Sequence, residues 1–309
     1  MKQKRLFKVT KHYSGPGDYV FDFFNYAFMI FLCIVMIYPF INQMAVSVNE
    51  ANDSLKGGIF LWPRHFTWAN YKYVFGEASI FHSFFISILR TVIGTLTSVL
   101  CTAMVAYTIS RKEYVLRKFV TIAFVITMYI NGGLIPNYLL IKELNLIDSF
   151  WVYIIPGIIG VFNLIVIRSF IEGIPESLFE SAKIDGAGDF TTFIKIVLPL
   201  SLPVLATVSL FVAVGQWNSW FDVFLYNSSN PNLSTLQYEL MKILQNSNAS
   251  MSGKTATDAF SNTTAAANMV TPTSIRATMT IIASLPIIMV YPFLQKYFVK
   301  GLTLGGVKG

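Results

Sequence analysis

Charged side chains are scarce in this sequence. Asp, Glu, Lys and Arg make up 13% of the 309 residues, whereas soluble domains carry roughly 25%. Apolar residues make up 54%, and the mean hydropathy is +0.57. This composition excludes an ordinary soluble domain and indicates an integral membrane protein. The net charge of +7 is then better explained by membrane topology than by nucleic-acid binding.

Residues that bind metals or perform catalysis are also few. The two cysteines, Cys33 and Cys101, lie in apolar stretches, and we interpret them as packing residues rather than as a disulfide or metal ligands. The three histidines form no cluster, and neither paired carboxylates nor a Ser/His/Asp spacing indicates catalysis. The nucleotide-binding pattern G-x-x-x-x-G-K-[ST] is absent. We therefore expect no catalytic residue, no metal site and no bound cofactor on this chain.

Long apolar runs are abundant instead, and six of them reach the length of about 20 residues that crosses a bilayer. They lie at about 21–46, 80–110, 119–141, 150–171, 200–225 and 275–299. The sequence predicts an all-α integral membrane protein with six transmembrane helices between residues 21 and 299, an N-terminal tail at 1–20 and a C-terminal tail at 300–309. No small-residue cleavage site follows the first run, so we expect it to remain as an anchor and not to be removed as a signal peptide.

Basic residues are concentrated in alternate connections between these runs. Lys and Arg cluster in the N-terminal tail, after the second run, around 168–195 and after the sixth run, whereas the remaining connections carry fewer over longer loops. Both termini and the connection at 172–199 are therefore expected to face the cytoplasm from the cell membrane. The loops at 47–79 and 226–272 are expected outside, either as docking surfaces for an external binding protein or as tolerated insertions.

The connection at 172–199 is far more acidic than its surroundings. Asp185-Gly186-Ala187-Gly188 predicts a turn between two short helices, because glycine accepts backbone angles that other residues resist. We expect Pro175 in the first turn of the first helix, Asp189 as the cap of the second, and Pro199 at its end. A helix lying on the bilayer surface is the alternative, but such helices are rich in Lys and Arg.

The same connection resembles the EAA loop of ABC importer permeases. The matching residues, in the order and spacing of that motif, are Glu180-Ser181-Ala182, Asp185-Gly186-Ala187 and Leu198-Pro199. Ser181 departs from the usual alanine but keeps the side chain small. The resemblance implies that this loop forms a coupling helix, which docks in a cleft of a cytoplasmic ABC ATPase dimer that uses ATP and Mg²⁺. It also implies that Glu180 meets a basic residue of the ATPase and that Gly186 makes the turn.

Polar residues interrupt the apolar runs, where contact with lipid is costly. The end of the fifth run combines amide, carboxylate and aromatic groups, the chemistry that binds sugars, in Gln216, Trp217, Asn218, Trp220 and Asp222. The alternative is that the two tryptophans belong to an interfacial aromatic belt. Arg90 in the second run and Asn131 in the third complete a candidate substrate path. For Arg90, pairing with an acidic group or a partner subunit is an alternative, and for the region of Asn131, ordinary helix packing.

The Trp217-Asn218 pair, the glycine-rich tail and the layout of six runs resemble the carbohydrate-type permeases of the same family. The long loop at 226–272 resembles the subgroup that handles larger oligosaccharides. The resemblance implies the type I permease fold, a second homologous permease subunit, an extracytoplasmic solute-binding protein, a carbohydrate substrate and a lipid bilayer around the helices, with no nucleic acid. The alternatives are a secondary transporter driven by an ion gradient, which would need intramembrane carboxylates as ion sites, and a membrane enzyme.

Overall fold

The structure is a computed structural model that describes residues 15–76, 78–252 and 270–306. Within these ranges fourteen α-helices follow one another: α1 (Pro16–Ser47), α2 (Ala51–Leu55), α3 (Ala69–Gly76), α4 (Ala78–Ser110), α5 (Arg117–Tyr129), α6 (Leu134–Glu143), α7 (Val161–Ile171), α8 (Glu176–Ile184), α9 (Asp189–Thr192), α10 (Leu198–Leu200), α11 (Leu202–Asn218), α12 (Phe221–Tyr226), α13 (Leu236–Ser252) and α14 (Pro272–Gly306). Other helical turns lie at Phe150–Tyr153, Phe193–Val197 and Pro231–Leu233. The predicted all-α class is confirmed for the described residues, which contain one isolated β-bridge and no strand.

Three helices in the described ranges are long and apolar enough to cross a membrane. They lie at Pro16–Ser47, Ser79–Ser110 and Pro272–Val290. The helices at Asp189–Leu200 and Leu202–Asn218 meet at 81° and make a fourth span only if they are counted together. The structure thus contains three unbroken spans, or four with the bent pair, where the sequence predicts six.

The difference arises because three predicted runs, those beginning at residues 119, 150 and 200, are divided into shorter helices. The first of them breaks at 130–133, between α5 and α6, where Gly133 has a φ of +88° that favours glycine. The interruption expected at Asn131 is therefore present. The last breaks at Ser219, whose backbone is extended between α11 and α12. Hydropathy averaged over a window does not detect such breaks, because the flanking residues remain apolar.

The helices pack around α4. It makes its most extensive contacts with α11 and α7, and it contributes to all three buried apolar clusters. Towards its C-terminal end, Tyr107 packs with residues of α7, α8 and α11. Towards its N-terminal end, Ile80 packs with α3, α11, α13 and α14, and Ile86 packs with α6, α12 and α13. α4 is thus the common element of the structure.

The first helix lies at the edge of this arrangement. α1 packs mainly against α14, and none of its most apolar stretch is buried. Its exposed side chains include the large apolar residues Phe21, Phe28 and Ile34. Continuous apolar surface of this extent is stable in lipid or against another protein and not in water. This placement agrees with the membrane nature that the composition indicates.

Residues 47–76 fold into a compact cap between α1 and α4. Asn49 is fully buried there, and its Oδ1 accepts hydrogen bonds from the backbone N–H groups of Arg64 and His65, at 2.8 Å each. Its Nδ2 donates to Asp53 Oδ2 at 3.1 Å, and Arg64 Nε donates to the same oxygen at 2.9 Å. Hydrogen bonds of buried polar groups, rather than a large apolar core, therefore fix the cap (47–76).

The carboxyl of Asp53 makes the cap sensitive to acid. Its pKa lies below the ordinary value because Asn49 donates a hydrogen bond to it, and the charge of Arg64 adds to this effect. A lowered folded-state pKa gives stability that is complete above the unfolded-state pKa and is lost as the pH falls through the folded value. We therefore expect Asp53→Asn to reduce protection of the cap at neutral pH and to remove its acid-dependent loss, as measured by hydrogen exchange of residues 47–76.

The matched control is Lys56→Gln, because Lys56 is exposed and lies 3.8 Å from the same carboxylate. Exposed pairs contribute little to stability, so this variant should keep the protection of the unmodified chain. Equal protection in the Asp53→Asn and unmodified proteins at neutral pH would show that the carboxylate does not hold the cap.

Candidate functional site

The acidic loop (172–199) forms two helices joined by a tight turn, as predicted. Gly186 lies in the turn between α8 and α9 with a φ of +76°, a left-handed value that favours glycine. Its backbone N–H donates to the carbonyl of Lys183 at 3.0 Å, and the N–H of Ala187 donates to the carbonyl of Ala182 at 2.9 Å. These bonds satisfy carbonyls at the end of α8 that would otherwise lack partners.

Two details of the loop differ from the prediction. Pro175 immediately precedes α8 instead of lying in its first turn. Gly188, not Asp189, precedes α9, so Asp189 occupies the first turn and makes no capping bond. A carboxylate at that position still interacts favourably with the helix dipole. The predicted end of the second helix at Pro199 agrees with the structure to within one residue, because the helix from Asp189 ends at Leu200 and the chain bends at Ser201.

One aromatic side chain anchors α8 to the rest of the protein. Phe179 is 3% exposed and stacks on Tyr107 of α4, with the ring centroids 6.4 Å apart. The guanidinium of Arg111, just beyond the end of α4, lies 3.9 Å from the centroid of the Phe179 ring. Arg111 Nη2 also lies 2.8 Å from Glu176 Oε1 at the start of α8. Ala182, 5% exposed, lets the helix approach closely.

A second ion pair joins α8 to the chain that follows α4. Lys183 Nζ lies 2.5 Å from Glu113 Oε1. This hydrogen bond lowers the pKa of the Glu113 carboxyl and raises the pKa of the Lys183 ammonium, so both groups are charged at neutral pH. Both residues, together with Arg111 and Asp189, line a pocket of about 380 Å³ at the junction of α4 and the acidic loop. The charges that face this pocket are balanced within the chain.

Other residues of the loop are exposed. They include the carboxylates Glu180 and Asp185 and two apolar side chains: Ile184 is 86% exposed and Phe190 66%. Leu178 is also exposed. We name these five residues the outer face of the acidic loop. Exposed apolar side chains rimmed by charges are typical of interaction surfaces.

The apolar part of the outer face was not predicted from the sequence. Ile184 lies four residues after Glu180, a spacing that places both on one side of a helix, so the signal was present. Of the other predicted loop residues, Ser181 and Pro199 are exposed, whereas Leu198 is half-buried against the apolar cluster around Tyr107.

A buried polar network lies nearer the N-terminal end of α4. Arg90 is 2% exposed, and its guanidinium forms an ion pair with the carboxylate of Asp222 on α12. Its Nε donates to Gln216 Oε1 at 2.9 Å, and its Nη1 donates to the carbonyl of Ser219 at 3.3 Å. The ring of Tyr153 lies under the guanidinium, with 4.5 Å between the ring centroid and Cζ. A charge this deeply buried is stable because it is both paired and hydrogen-bonded.

The two predicted tryptophans occupy different environments. Trp217 is buried, and its indole N–H donates to the carbonyl of Ala283 in α14 at 2.8 Å. Trp220 is partly exposed and packs edge-on against Phe221, with the ring centroids 5.7 Å apart. Asn218, between them, is exposed. The structure therefore brings an exposed amide and exposed rings together at the break between α11 and α12.

Asn131 lies in the break between α5 and α6. It is exposed, and its Oδ1 accepts a hydrogen bond from the backbone N–H of Gly133 at 2.9 Å. This contact is local and shapes the break. The contacts that join Arg90, Gln216 and Asp222 into one network do not extend to Asn131 among the described residues.

Residues 98–304 match the family described as "Binding-protein-dependent transport system inner membrane component". The chain belongs to this family. The match includes the acidic loop, most of its anchor on α4 and the α11–α12 break. The protein is therefore the permease component of a binding-protein-dependent importer and not an enzyme, and the family predicted from the EAA-type motif is confirmed.

Individual permeases support this assignment. The chain is 36% identical over 292 residues to the polygalacturonan/rhamnogalacturonan transport system permease protein YtcP of Bacillus subtilis, with 94% of this chain and 99% of YtcP covered. It is 38% identical over 301 residues to protein LplC of the same organism, with 97% and 98% covered. A crystal structure of a bacterial ABC transporter involved in the import of the acidic polysaccharide alginate matches with a TM-score of 0.81 at 25% identity, covering 93% of this chain and 99% of that one. The permease thus has the type I fold of ABC importers.

The anchor of α8 is testable by truncation. Phe179→Ala removes a buried ring that contacts both Tyr107 and Arg111, and such changes cost about 3–5 kcal/mol in a packed core. We expect faster hydrogen exchange throughout α8 and a lower thermal stability of the purified permease. Leu178→Ala, at the neighbouring exposed position, is the control and should change neither. Equal exchange of α8 in the two variants would contradict the assignment of Phe179 as the anchor.

Proposed function

We propose that this permease is one of two membrane subunits of an ATP-driven oligosaccharide importer in the cell membrane. Residues 21–299 supply six spans, three of which are broken into shorter helices, and both termini face the cytoplasm. The loops at 47–79 and 226–272 are extracytoplasmic. The observation that carries the proposal is the outer face of the acidic loop, where exposed carboxylates and exposed apolar side chains lie on α8, on the turn after it and at the start of α9, with α8 anchored to α4.

α8 is, in this proposal, the coupling helix that docks in a cleft of an ABC ATPase dimer. Ile184 and Phe190 enter an apolar part of the cleft, and Glu180 and Asp185 meet cationic side chains at its rim. The inner charges are already balanced by Arg111 and Lys183, so the outer carboxylates are the ones that a partner must neutralise. Gly186 permits the turn that presents this face.

The energy source is a separate subunit that uses ATP and Mg²⁺. Closure of the ATPase dimer moves α8, and the contacts of Phe179, Arg111 and Glu176 carry that movement to α4. The helices then rock between outward and inward access around a central path. A second, homologous permease subunit forms the other half of the path, and a solute-binding protein delivers the substrate from outside.

A secondary transporter is the weaker alternative. It needs an intramembrane carboxylate that is free to bind a proton or a cation. The predicted spans contain two acidic residues, Asp22 at a boundary and Asp222 near the end of the fifth span. Asp222 is paired with Arg90 and accepts a further hydrogen bond from Ser219 Oγ at 2.9 Å. A carboxylate held in this way is a poor ion site, and this favours an ATP-driven mechanism.

The substrate is an oligosaccharide, and an acidic one is the first candidate. YtcP is named for polygalacturonan and rhamnogalacturonan transport, and the solved structure is described as involved in the import of the acidic polysaccharide alginate. Exposed amide and ring surfaces of Asn218 and Trp220 fit the hydroxyl groups and C–H faces of a sugar ring. Asn131 offers an exposed amide group of the same kind in the break between α5 and α6.

The docking surface is testable by charge reversal. Glu180→Lys and Ile184→Asp should each reduce co-purification of the ATPase, because one opposes a cationic rim and the other places a charge in an apolar cleft. We expect a reduction of about tenfold or more in ATP-dependent uptake, since a loss of 1.4 kcal/mol in binding is tenfold in affinity. Glu143→Lys reverses an equally exposed carboxylate at the end of α6 and should leave both measurements unchanged. Normal co-purification of the ATPase with both loop variants would contradict the coupling role of α8.

The substrate class is testable in vesicles that contain the full importer and its binding protein. We expect uptake of labelled trigalacturonate that requires ATP and continues when ionophores remove proton and sodium gradients. A neutral arabino- or galacto-trisaccharide serves as the comparison. Import of the neutral sugar alone would correct the substrate class but retain the importer, whereas gradient-driven uptake without ATP would overturn the mechanism.

A further inference from the structure

Arg90 joins three parts of the fold. Its Nε donates to Gln216 at the end of α11, and its Nη1 donates to the carbonyl of Ser219 in the α11–α12 break. Its Nη2 forms the ion pair with Asp222 in α12. The ring of Tyr153, from the turn that precedes α7, covers the guanidinium. With 2% of its surface exposed, Arg90 has no face left for a solute.

Asp222 is held from its own side of the break as well. Its Oδ1 accepts from Ser219 Oγ and from the backbone N–H of Val223, both at 2.9 Å. The first of these bonds spans the break, and the second fixes the carboxylate at the start of α12. Asp222 therefore sets the direction of α12 while Arg90 ties that direction to α4.

Gly94 makes the space for this arrangement. It lies four residues after Arg90, on the same side of α4. A Cβ at this position would lie 2.9 Å from both Cδ and Nε2 of Gln216, closer than such atoms approach. Gln216 is held in place, because Arg90 binds its oxygen and its Nε2 donates to the carbonyl of Tyr153 at 3.2 Å. Any side chain at residue 94 would therefore displace Gln216.

We propose that Arg90 and Gly94 are positioning residues for transport: they hold the α11–α12 break so that Asn218 and Trp220 present their exposed groups to the substrate. Arg90 acts through Asp222 and does not itself contact the sugar. This agrees with the alternative drawn from the sequence, pairing with an acidic group, and not with a place of Arg90 on the substrate path. The inference rests on the proposed substrate path. Ser219, which accepts from Arg90, lies between Asn218 and Trp220, so a shift of its carbonyl moves both of them.

The decisive variant is the double replacement Arg90→Met with Asp222→Leu. Removing both charges of a buried pair often preserves stability, whereas removing one leaves an unpaired charge that destabilises the fold. We expect the double variant to insert, to co-purify the ATPase and to hydrolyse ATP at the unmodified rate. The KM for trigalacturonate, or for the neutral trisaccharide if that is the sugar imported, should rise about tenfold, which corresponds to the loss of one good hydrogen-bonded contact. Unchanged KM and maximal rate would overturn the positioning role.

A second pair of variants tests the same geometry without removing charge. Gly94→Ala should raise the KM, and adding Gln216→Ser should restore part of the loss, because serine lacks the atoms that the new methyl group meets. Gly215→Ala is the control, since a Cβ at that position of α11 meets nothing within 4 Å. A normal KM for Gly94→Ala would contradict the role of Gly94.

A readout that needs no substrate separates this inference from the proposed function. In a chain with Cys33→Ser and Cys101→Ser, the change Asn218→Cys places a thiol at the exposed position beside the break. We expect its labelling rate by a water-soluble maleimide to differ severalfold between the Arg90→Met/Asp222→Leu background and the unmodified network. Equal rates would refute positioning even if sugar import is observed, and different rates without any sugar import would refute the proposed function alone.

Discussion

The packing of α4 against α11 is the contact on which the rest of the structure depends. These two helices share the apolar clusters around Tyr107 and around Ile80, and the polar network at Arg90 lies between those clusters along α4. Arg90 and Tyr107 are separated by about 25 Å along the helix, at 1.5 Å per residue. One rigid element therefore connects the α11–α12 break to the acidic loop. In a membrane, where lipid is as apolar as the side chains, close packing and these few polar contacts hold the helices together.

The charged residues near the two ends of α4 are arranged differently. Near the break, Arg90 and Asp222 neutralise each other in a buried setting, where an unpaired charge would be costly. At the loop, Arg111 neutralises Glu176 on the inner side and leaves Glu180 exposed on the outer side. The first arrangement fixes helices within the chain. The second leaves negative charge and apolar surface available to another protein, as expected of a subunit that does not supply its own energy.

Much of this was predictable from sequence, for identifiable reasons. The turn at Gly186 could be predicted, because a left-handed backbone position favours glycine and the flanking motif has a specific spacing. The partner of Arg90 could not be predicted, because 132 positions separate Arg90 from Asp222 and no local sequence pattern indicates such a contact. The breaks in the apolar runs were mostly missed because apolar composition is the same in a straight and a broken helix. The apolar part of the outer face was missed at Ile184, where an exposed isoleucine resembles a buried one in sequence.

The packing of the helices indicates which of them would move together. α1 packs mainly on α14, whereas α4, α7, α8 and α11 share one close-packed cluster that includes Phe179. Close-packed interiors move as bodies and do not deform continuously. A displacement of α8 must therefore carry α4, α7 and α11 with it, and through Arg90 it must also carry α12. α1 is joined to this cluster through α14, which packs on both α1 and α11. In the proposed mechanism the break beside Ser219 therefore moves with α8, so a substrate path at this break would open and close with the ATPase.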